Sequence, residues 1–346
     1  MARIRVFLIS VAFGGLLANN AQAVPGNLAG AKYTGAVHSH YSKKKRYRRR
    51  YRRYSRKRYR RSRRMSSRRH YRRYRRPRRV RTPRYVRPGL RALRATSVAI
   101  LNQNNGSLLY GKNIHQRRSI ASVTKLMTAM VVLDARLRLD QPIRISYFDK
   151  DFIKFSRSRL PVGALLRRKD LLFMALAASE NRASHALART YPGGKKAFIR
   201  AMNKKARELG MTNTHFTDSS GLSASNKSTA ADLLKLVAAA YKYPTIREMT
   251  TTSRSWAIDL SSGRIIQFNN TNRLVRRGTW NINLSKTGFI REAGYCLVMH
   301  TSIRNKNIIM VILNSSGKWA KFGDANRVRK WLTGKYASFR SAASKY

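Results

Sequence analysis

The sequence predicts an α+β fold in which one sheet is built from both ends of the folded region and a helical segment is inserted between them. Three observations carry that prediction. Short apolar runs lead, helical periodicity fills the middle, and after Thr250 the pattern returns to short β-type runs closed by one last helical stretch. From Ala92 onward the residue mix is that of an ordinary globular domain, and roughly 250 residues suffice to bury a substantial core.

Two other regimes precede that domain. Residues 1–23 read as a removable signal peptide: Arg3 and Arg5 give a positive start, "VFLISVAFGGLLA" is apolar, and "AQA" ends at Ala23 as a small-x-small cleavage site. That apolar run is short of the roughly 20 residues needed to span a bilayer. Residues 24–91 read as a disordered basic tail, with "KKKRYRRRYRRYSRKRYRRSRR" starting at Lys43 and no acidic residue before Asp134. Its like charges repel and its apolar content is too low to offset the entropy of ordering. The net charge of +62 speaks of polyanionic partners rather than of fold. Cys296 is the single cysteine, so no intramolecular disulfide can form, and a small buried hydrophobe is its expected role.

Residues 92–340 form the expected catalytic domain. "SVAILNQNNGSLLYGKN" has two apolar runs around Asn104, Asn105 and Gly106, the turn chemistry of a hairpin. "IASVTKLMTAMVVLDARLRLD" is helical from about Ser122 and apolar around most of its circumference, which predicts a helix at the centre of the fold. "RKDLLFMALAASENRASHALART" predicts a second helix with Asp170 as N-cap, and "GKKAFIRAMNKKARELG" a third that stops at Gly210. A turn-rich loop from Asp218 to Thr229 leads into the helical "AADLLKLVAAAYKYP". Then "SWAIDL", "RIIQFNN", "WNINLSKTGFI", "GYCLVMHTSI" and "NIIMVILNS" read as strands, and "DANRVRKWLTGKYASFR" as the closing helix.

Within the central helix, "SVTK" places Ser122 and Lys125 at i and i+3, on one face and within reach of each other, as a serine activated by a lysine requires. The same spacing recurs at Ser42 to Lys45 and at Ser315 to Lys318, so alone it is weak. Only the Ser122 copy begins a buried helix, where a lysine must be neutral or paired. "SEN" follows at Ser179 to Asn181 and "KTG" at Lys286 to Gly288. S-x-x-K, S-x-N and K-T-G in that order form the signature of penicillin-recognising serine enzymes. The last two motifs also have plain alternatives: Ser179 and Asn181 as the cap or end of a helix, Lys286 and Thr287 as a solvated strand pair. Glu180 is expected to be a surface or structural residue, and His185 and His215 ordinary polar or core residues. No metal-ligand, nucleotide-binding or haem pattern is present, so no cofactor is expected.

"SVTKLMTAMVVLDA", "LPVG", "SENRASHALA", "YPGG", "TGFIREAG" and "CLVM" together resemble the low-molecular-weight penicillin-binding proteins, the serine D-alanyl-D-alanine carboxypeptidase and endopeptidase family. The resemblance spans about Val98 to Leu332 and excludes the Arg-rich tail. It implies a β-lactamase/transpeptidase-like fold: an antiparallel sheet flanked by helices, an all-helical lobe, and a cleft between them. It also implies roles. Ser122 would form an acyl-enzyme with a D-alanine carbonyl, and Lys125 would accept its proton, its pKa lowered by burial and by the like charge of Lys286. Ser179 would relay a proton to the leaving amine, and Asn181 would bind the substrate amide and fix the lysine. Lys286 and Thr287 would hold a carboxylate of substrate or β-lactam, and Gly288 would let the backbone approach closely. The backbone N–H groups of Ser122 and Phe289 would form an oxyanion hole.

Among the family's reactions, efficient penicillin hydrolysis is disfavoured because no E-x-x-L-N run supplies a deacylating glutamate. Too few residues follow Gly288 for the extra domain and anchor helix of the usual carboxypeptidase form. This favours the endopeptidase, cleaving D-alanyl to diamino-acid cross-links between peptidoglycan stem peptides, with carboxypeptidase activity as the alternative. A different alternative is an inert basic scaffold. The basic tail, which by composition alone resembles a nucleic-acid arm, is moved outside the cytoplasm by the signal, to the periplasm. There its expected partner is an anionic envelope surface rather than nucleic acid.

Overall fold

The computed structural model describes Leu90 and residues 92–343. The signal peptide expected at residues 1–23, and all of the expected tail at 24–91 but Leu90, lie outside the described residues. Leu90, assigned to the tail by sequence, is buried together with Leu93.

The chain opens with strand β1 (Ala95–Asn102), which turns back into β2 (Ser107–Lys112). Of the expected turn residues, Asn105 accepts from the backbone N–H of Ser107 and Gly106 takes a positive φ of 69°, while Asn102, at the end of β1, accepts from the N–H of Asn104. After the two-residue strand β3 (Arg118–Ser119), a 3₁₀ turn at Ala121–Val123 runs into helix α1 (Thr124–Asp134). Residues Thr124 to Val132 are all buried, so the nearly all-apolar helix lies at the centre, as its composition predicts.

The short strands β4 (Pro142–Arg144) and β5 (Leu165–Arg167) pair with each other and lead to α2 (Arg168–Phe173). Here the structure departs from the expected single helix. A π turn at Met174–Ala178 follows α2, Ser179 takes a left-handed φ of 61°, and α3 (Asn181–Arg189) starts afresh with Glu180 as its cap. Nor is Asp170 an N-cap: Arg167 occupies that position, and Asp170 lies in the first turn. Then come α4 (Gly194–Glu208), β6 (Lys227–Ser228, paired with β3), α5 (Ala230–Ala240) and α6 (Pro244–Thr251), with Pro244 as a helix opener.

Strands β7 (Arg254–Ile258) and β8 (Ile265–Asn269) form a separate ribbon, and α7 (Arg273–Arg277) a single short turn. The last strands, β9 (Ile282–Ile290), β10 (Gly294–Ile303) and β11 (Lys306–Ser315), complete an antiparallel sheet in the order β2-β1-β11-β10-β9. Helix α8 (Ala320–Ala343) closes the chain. Both ends of the folded region meet where β1 pairs with β11, in the register Ala99 to Val311.

This sheet is buried on both faces, which accounts for the continuous apolar runs of β10 and β11. Val98, Ile100, Leu297, Met299, Met310 and Ile312 pack under α8 with Phe322, Val328 and Leu332. On the opposite face, Ala99, Val298, Ile309, Val311 and Leu313 join one core with α1 and α5. Cys296 belongs to this inner core, and burial pushes its thiol up to about 11. Strand β9 is left at the edge, paired only with β10, and its free side adjoins the turn that carries Ser122.

Candidate active site

Three sequence motifs from distant parts of the chain converge on one cleft. Ser122 lies in the 3₁₀ turn just before α1, and the residue before it, Ala121, is held at a φ of 47°, a conformation unfavourable for a residue with a side chain. Gly221 makes that turn possible. A Cβ there would stand 1.9 Å from the carbonyl oxygen of Ala121, so only glycine, at φ 84°, lets the Asp218–Leu222 loop pack against the nucleophile turn. Gly288 serves the other side: a Cβ on it would come within 3.0 Å of both the Ile120 carbonyl oxygen and the Ser122 nitrogen. Strand β9 therefore lies directly against the serine's backbone.

Lys125, the second residue of α1, is fully buried. Its Nζ donates to Ser122 Oγ at 2.9 Å, to Asn181 Oδ1 at 2.7 Å and to the Ser220 carbonyl at 2.7 Å. Burial pulls its pKa down to about 7, against the upward pull of Asp218, Glu180 and Asp151. A lysine at that value is neutral in a large fraction of molecules near pH 7, and in that form its lone pair can accept from the serine hydroxyl 2.9 Å away.

Lys286 is also buried, and its Nζ donates to Ser179 Oγ at 2.9 Å and to the Thr287 carbonyl at 3.2 Å. Burial first, and the charge of Lys125 second, push it well below its ordinary value. Burial is the leading cause at both lysines, and like charges disfavour two ammonium groups side by side in the site. Thr287 bonds Thr271 through their hydroxyls at 2.7 Å, and Phe289, half exposed, stacks on Tyr295 at the cleft rim.

The break between α2 and α3 positions the second motif. With Ser179 in the left-handed region, its hydroxyl reaches Lys286 while Asn181, two residues on, reaches Lys125. An uninterrupted helix would set residues two apart on different faces. Glu180 between them is buried and accepts from the backbone N–H groups of Arg182 and Arg159, a structural rather than surface position.

Several residues of the site carry no motif. Asp218 accepts backbone N–H groups from Ser220, Gly221 and Ser223 and so shapes the loop whose Ser220 carbonyl holds Lys125. Ser156 accepts from Asn181 Nδ2 at 2.9 Å and donates to Asp151 at 2.6 Å. An aspartate three residues before a glycine marks a tight loop in the sequence, but the group that matters at Ser220 is a backbone carbonyl, which no residue type announces. His185 lies between the Asp149 carbonyl and the Ser220 hydroxyl, whereas His215 is exposed. Among the described residues, no group of His, Cys, Asp and Glu is arranged to hold a metal ion.

This geometry has known counterparts. Residues 84–317 match the family described as D-alanyl-D-alanine carboxypeptidase, the S11 peptidases. The chain belongs to that family. It is 46% identical over 251 residues to a D-alanyl-D-alanine endopeptidase of Escherichia coli K12, covering 72% of this chain and 81% of the relative. The crystal structure of the Streptomyces K15 DD-transpeptidase matches with a TM-score of 0.64 at 32% identity, over 69% of this chain and 97% of that one. Penicillin-binding protein D2 of Listeria monocytogenes, in its ampicillin-bound form, matches with a TM-score of 0.58 at 28% identity, over the same shares. The family resemblance read from the sequence and the β-lactamase/transpeptidase-like fold it implied both hold, and the chain is a serine peptidase of the S11 type.

Proposed function

We propose that this S11 peptidase acts on peptidoglycan as a D-alanyl-D-alanine endopeptidase, hydrolysing D-Ala to diamino-acid cross-links through an acyl-enzyme on Ser122. The observation that carries this reading is Lys125, buried, with its pKa pulled down to about 7, and hydrogen-bonded at once to Ser122 and Asn181. In the proposed reaction Ser122 Oγ attacks the D-alanine carbonyl while its proton passes to Lys125 Nζ. The oxyanion is held by the backbone N–H groups of Ser122 and Phe289. Ser179, bonded to Lys286, relays the proton taken up by Lys125 to the leaving amine, and the carbonyl–nitrogen bond breaks. Asn181 aligns the substrate amide. Lys286, Thr287 and the side-chain-free edge at Gly288 hold the substrate strand and its carboxylate. Water then attacks the ester and gives a proton to Lys125, which returns it to Ser122 Oγ as the ester bond breaks and the acid is released.

The 46% identity to an endopeptidase supports that branch over the carboxypeptidase one. The nearby carboxylates Asp151, Glu180 and Asp218 are each occupied by backbone N–H donors, which supports slow rather than efficient turnover of β-lactams. The positive, apolar start of the chain supports export to the periplasm, and no helix among the described residues is long and apolar enough to cross a membrane. The Arg/Tyr-rich tail would then hold the enzyme electrostatically to an anionic envelope surface near its insoluble substrate.

Fluorescent penicillin tests the site: labelling of the folded wild type that vanishes in Ser122→Ala is the expected result, and an unlabelled wild type would favour an inert scaffold. Muropeptide digestion tests the reaction. Loss of cross-linked dimers is expected, whereas pentapeptide stems shortened by one D-alanine would establish the carboxypeptidase instead. Deleting residues 24–88 is expected to leave labelling intact and to weaken sedimentation with envelope at low salt.

A further inference from the structure

The loop that carries Ser156 has a second, outward-facing side that the acyl-transfer chemistry does not use. Asp151 is buried and gathers the backbone N–H groups of Ile153, Lys154 and Ser156 and the Ser156 hydroxyl on its carboxylate. Burial alone would raise this carboxyl, but the donors outweigh it and hold it below its ordinary value. This tight loop points Ser156 inward, to Asn181, and turns the preceding residues out. Phe155 is 78% exposed, and it takes a φ of 53°, a left-handed conformation that an aromatic residue rarely adopts. An exposed large apolar side chain on strained backbone is doubly unfavourable for a free surface, and such strain clusters at ligand sites.

The neighbour of Phe155 reaches the opposite lobe. Lys154 Nζ pairs with Glu292 at 2.5 Å, and Glu292 stands in the β9–β10 turn, three residues past Phe289. The pair therefore joins the helical-lobe loop to the sheet at the cleft mouth. Both members are partly exposed, so the pair is weak and its lysine can exchange Glu292 for another carboxylate at little cost. Around it Arg157 and Arg291 are exposed as well, which leaves the mouth cationic with Glu292 as its acidic member.

We infer that Phe155 and Lys154 form a binding subsite for the acidic stem peptide of the substrate, beyond the groups that touch the scissile bond. Lys154 leaves Glu292 to pair with a stem carboxylate, and the Phe155 ring packs on the stem's apolar side. The inference rests on the peptidoglycan reading above. It assigns to these two side chains the selection of a long, anionic peptide over a compact β-lactam.

The test measures binding apart from hydrolysis. Ser122→Ala protein is titrated with a purified cross-linked tetrapeptide muropeptide dimer, alone and with Lys154→Gln or Phe155→Asn added; asparagine keeps a left-handed backbone while deleting the ring. Each addition is expected to raise Kd about five- to tenfold, and the Lys154 effect is expected to shrink in 0.5 M salt. In the Ser122 background the same changes are expected to slow penicillin acylation by a distinctly smaller factor. The swapped pair Lys154→Glu with Glu292→Lys separates recognition from a structural clasp. Binding that stays weak supports the subsite, and binding restored to the parent's value overturns it. Unchanged Kd in both single variants, or equal losses on dimer and penicillin, also overturns it. If the Ser122→Ala protein binds dimers through these residues while the wild type fails to cleave them, the endopeptidase reading falls and the subsite stands.

Discussion

In the five-stranded sheet, Val98, Ile100, Met310 and Ile312 face one core and Ala99, Ile309, Val311 and Leu313 the other, each where period-2 alternation puts it. At the cleft beside it the same chain accepts what folding disfavours. Ala121, Phe155 and Ser179 hold positive φ, a π turn interrupts a helix, and Lys125 and Lys286 are buried without a carboxylate bonded to either. The contrast assigns separate duties: the sheet supplies stability, and the cleft uses part of it to hold groups in states that water would not allow.

That division predicts opposite responses to substitution, and the largest is at the buried lysine. Lys125→Met is expected to slow acylation by fluorescent penicillin by about 10²–10⁴-fold, the usual range for a lost general base. Its stability should shift with pH in a direction that follows from burial. The folded wild type sheds the Lys125 proton near pH 7, whereas the unfolded chain keeps it to about 10.4. Between those values the unfolded state holds more protons, so wild-type stability gains as pH rises, and the methionine variant lacks that gain. The gap in urea midpoint between the two proteins should therefore move in favour of the wild type from pH 6 to pH 9. A gap that stays constant would mean Lys125 is not neutral in the fold.

Gly221→Ala comes next, because it forces a methyl group into the Ala121 carbonyl and has no flexible neighbour to displace. The expected cost is roughly 4 kcal/mol or more in urea denaturation, with loss of labelling in whatever remains folded. On the sheet side, Ile309→Ala removes a fully buried side chain from the inner core. It should cost about 3 kcal/mol, and the protein that stays folded should label at the wild-type rate. If Ile309→Ala slowed acylation, the separation between the two regions would fail.

How much could be read beforehand follows the same line. The sheet, the central helix and the three motifs were legible because they rest on periodicity and on side-chain chemistry at short spacing, as in Ser122 with Lys125. The break at Ser179 was not, since "ALAASENRASHALA" is built almost wholly of residues that tolerate a helix, and tertiary contacts of Ser179 with Lys286 and of Asn181 with Lys125 override that propensity. The residues that support the site, Asp151, Ser156 and the Ser220 carbonyl, act through loop geometry and leave no spacing to detect.

Ser156 offers the finest test of the comparison, since it neither touches the reacting groups nor belongs to the core. Its hydroxyl donates to Asp151 and accepts from Asn181 Nδ2, which leaves Asn181 Oδ1 turned to Lys125. Removing it in Ser156→Ala leaves Asp151 with its three backbone donors, so the loop should hold and stability should fall by about 1 kcal/mol. Asn181 loses the acceptor that orients its amide, and Lys125 then samples a less fixed position beside Ser122. Acylation is expected to slow roughly fivefold to tenfold, about the worth of one hydrogen bond. Ser156→Thr, which keeps the hydroxyl, should recover most of that loss. Equal acylation rates in Ser156→Ala and the wild type would show that the Asn181 amide is oriented by Lys125 alone, and that the cleft's precision ends at the three motifs.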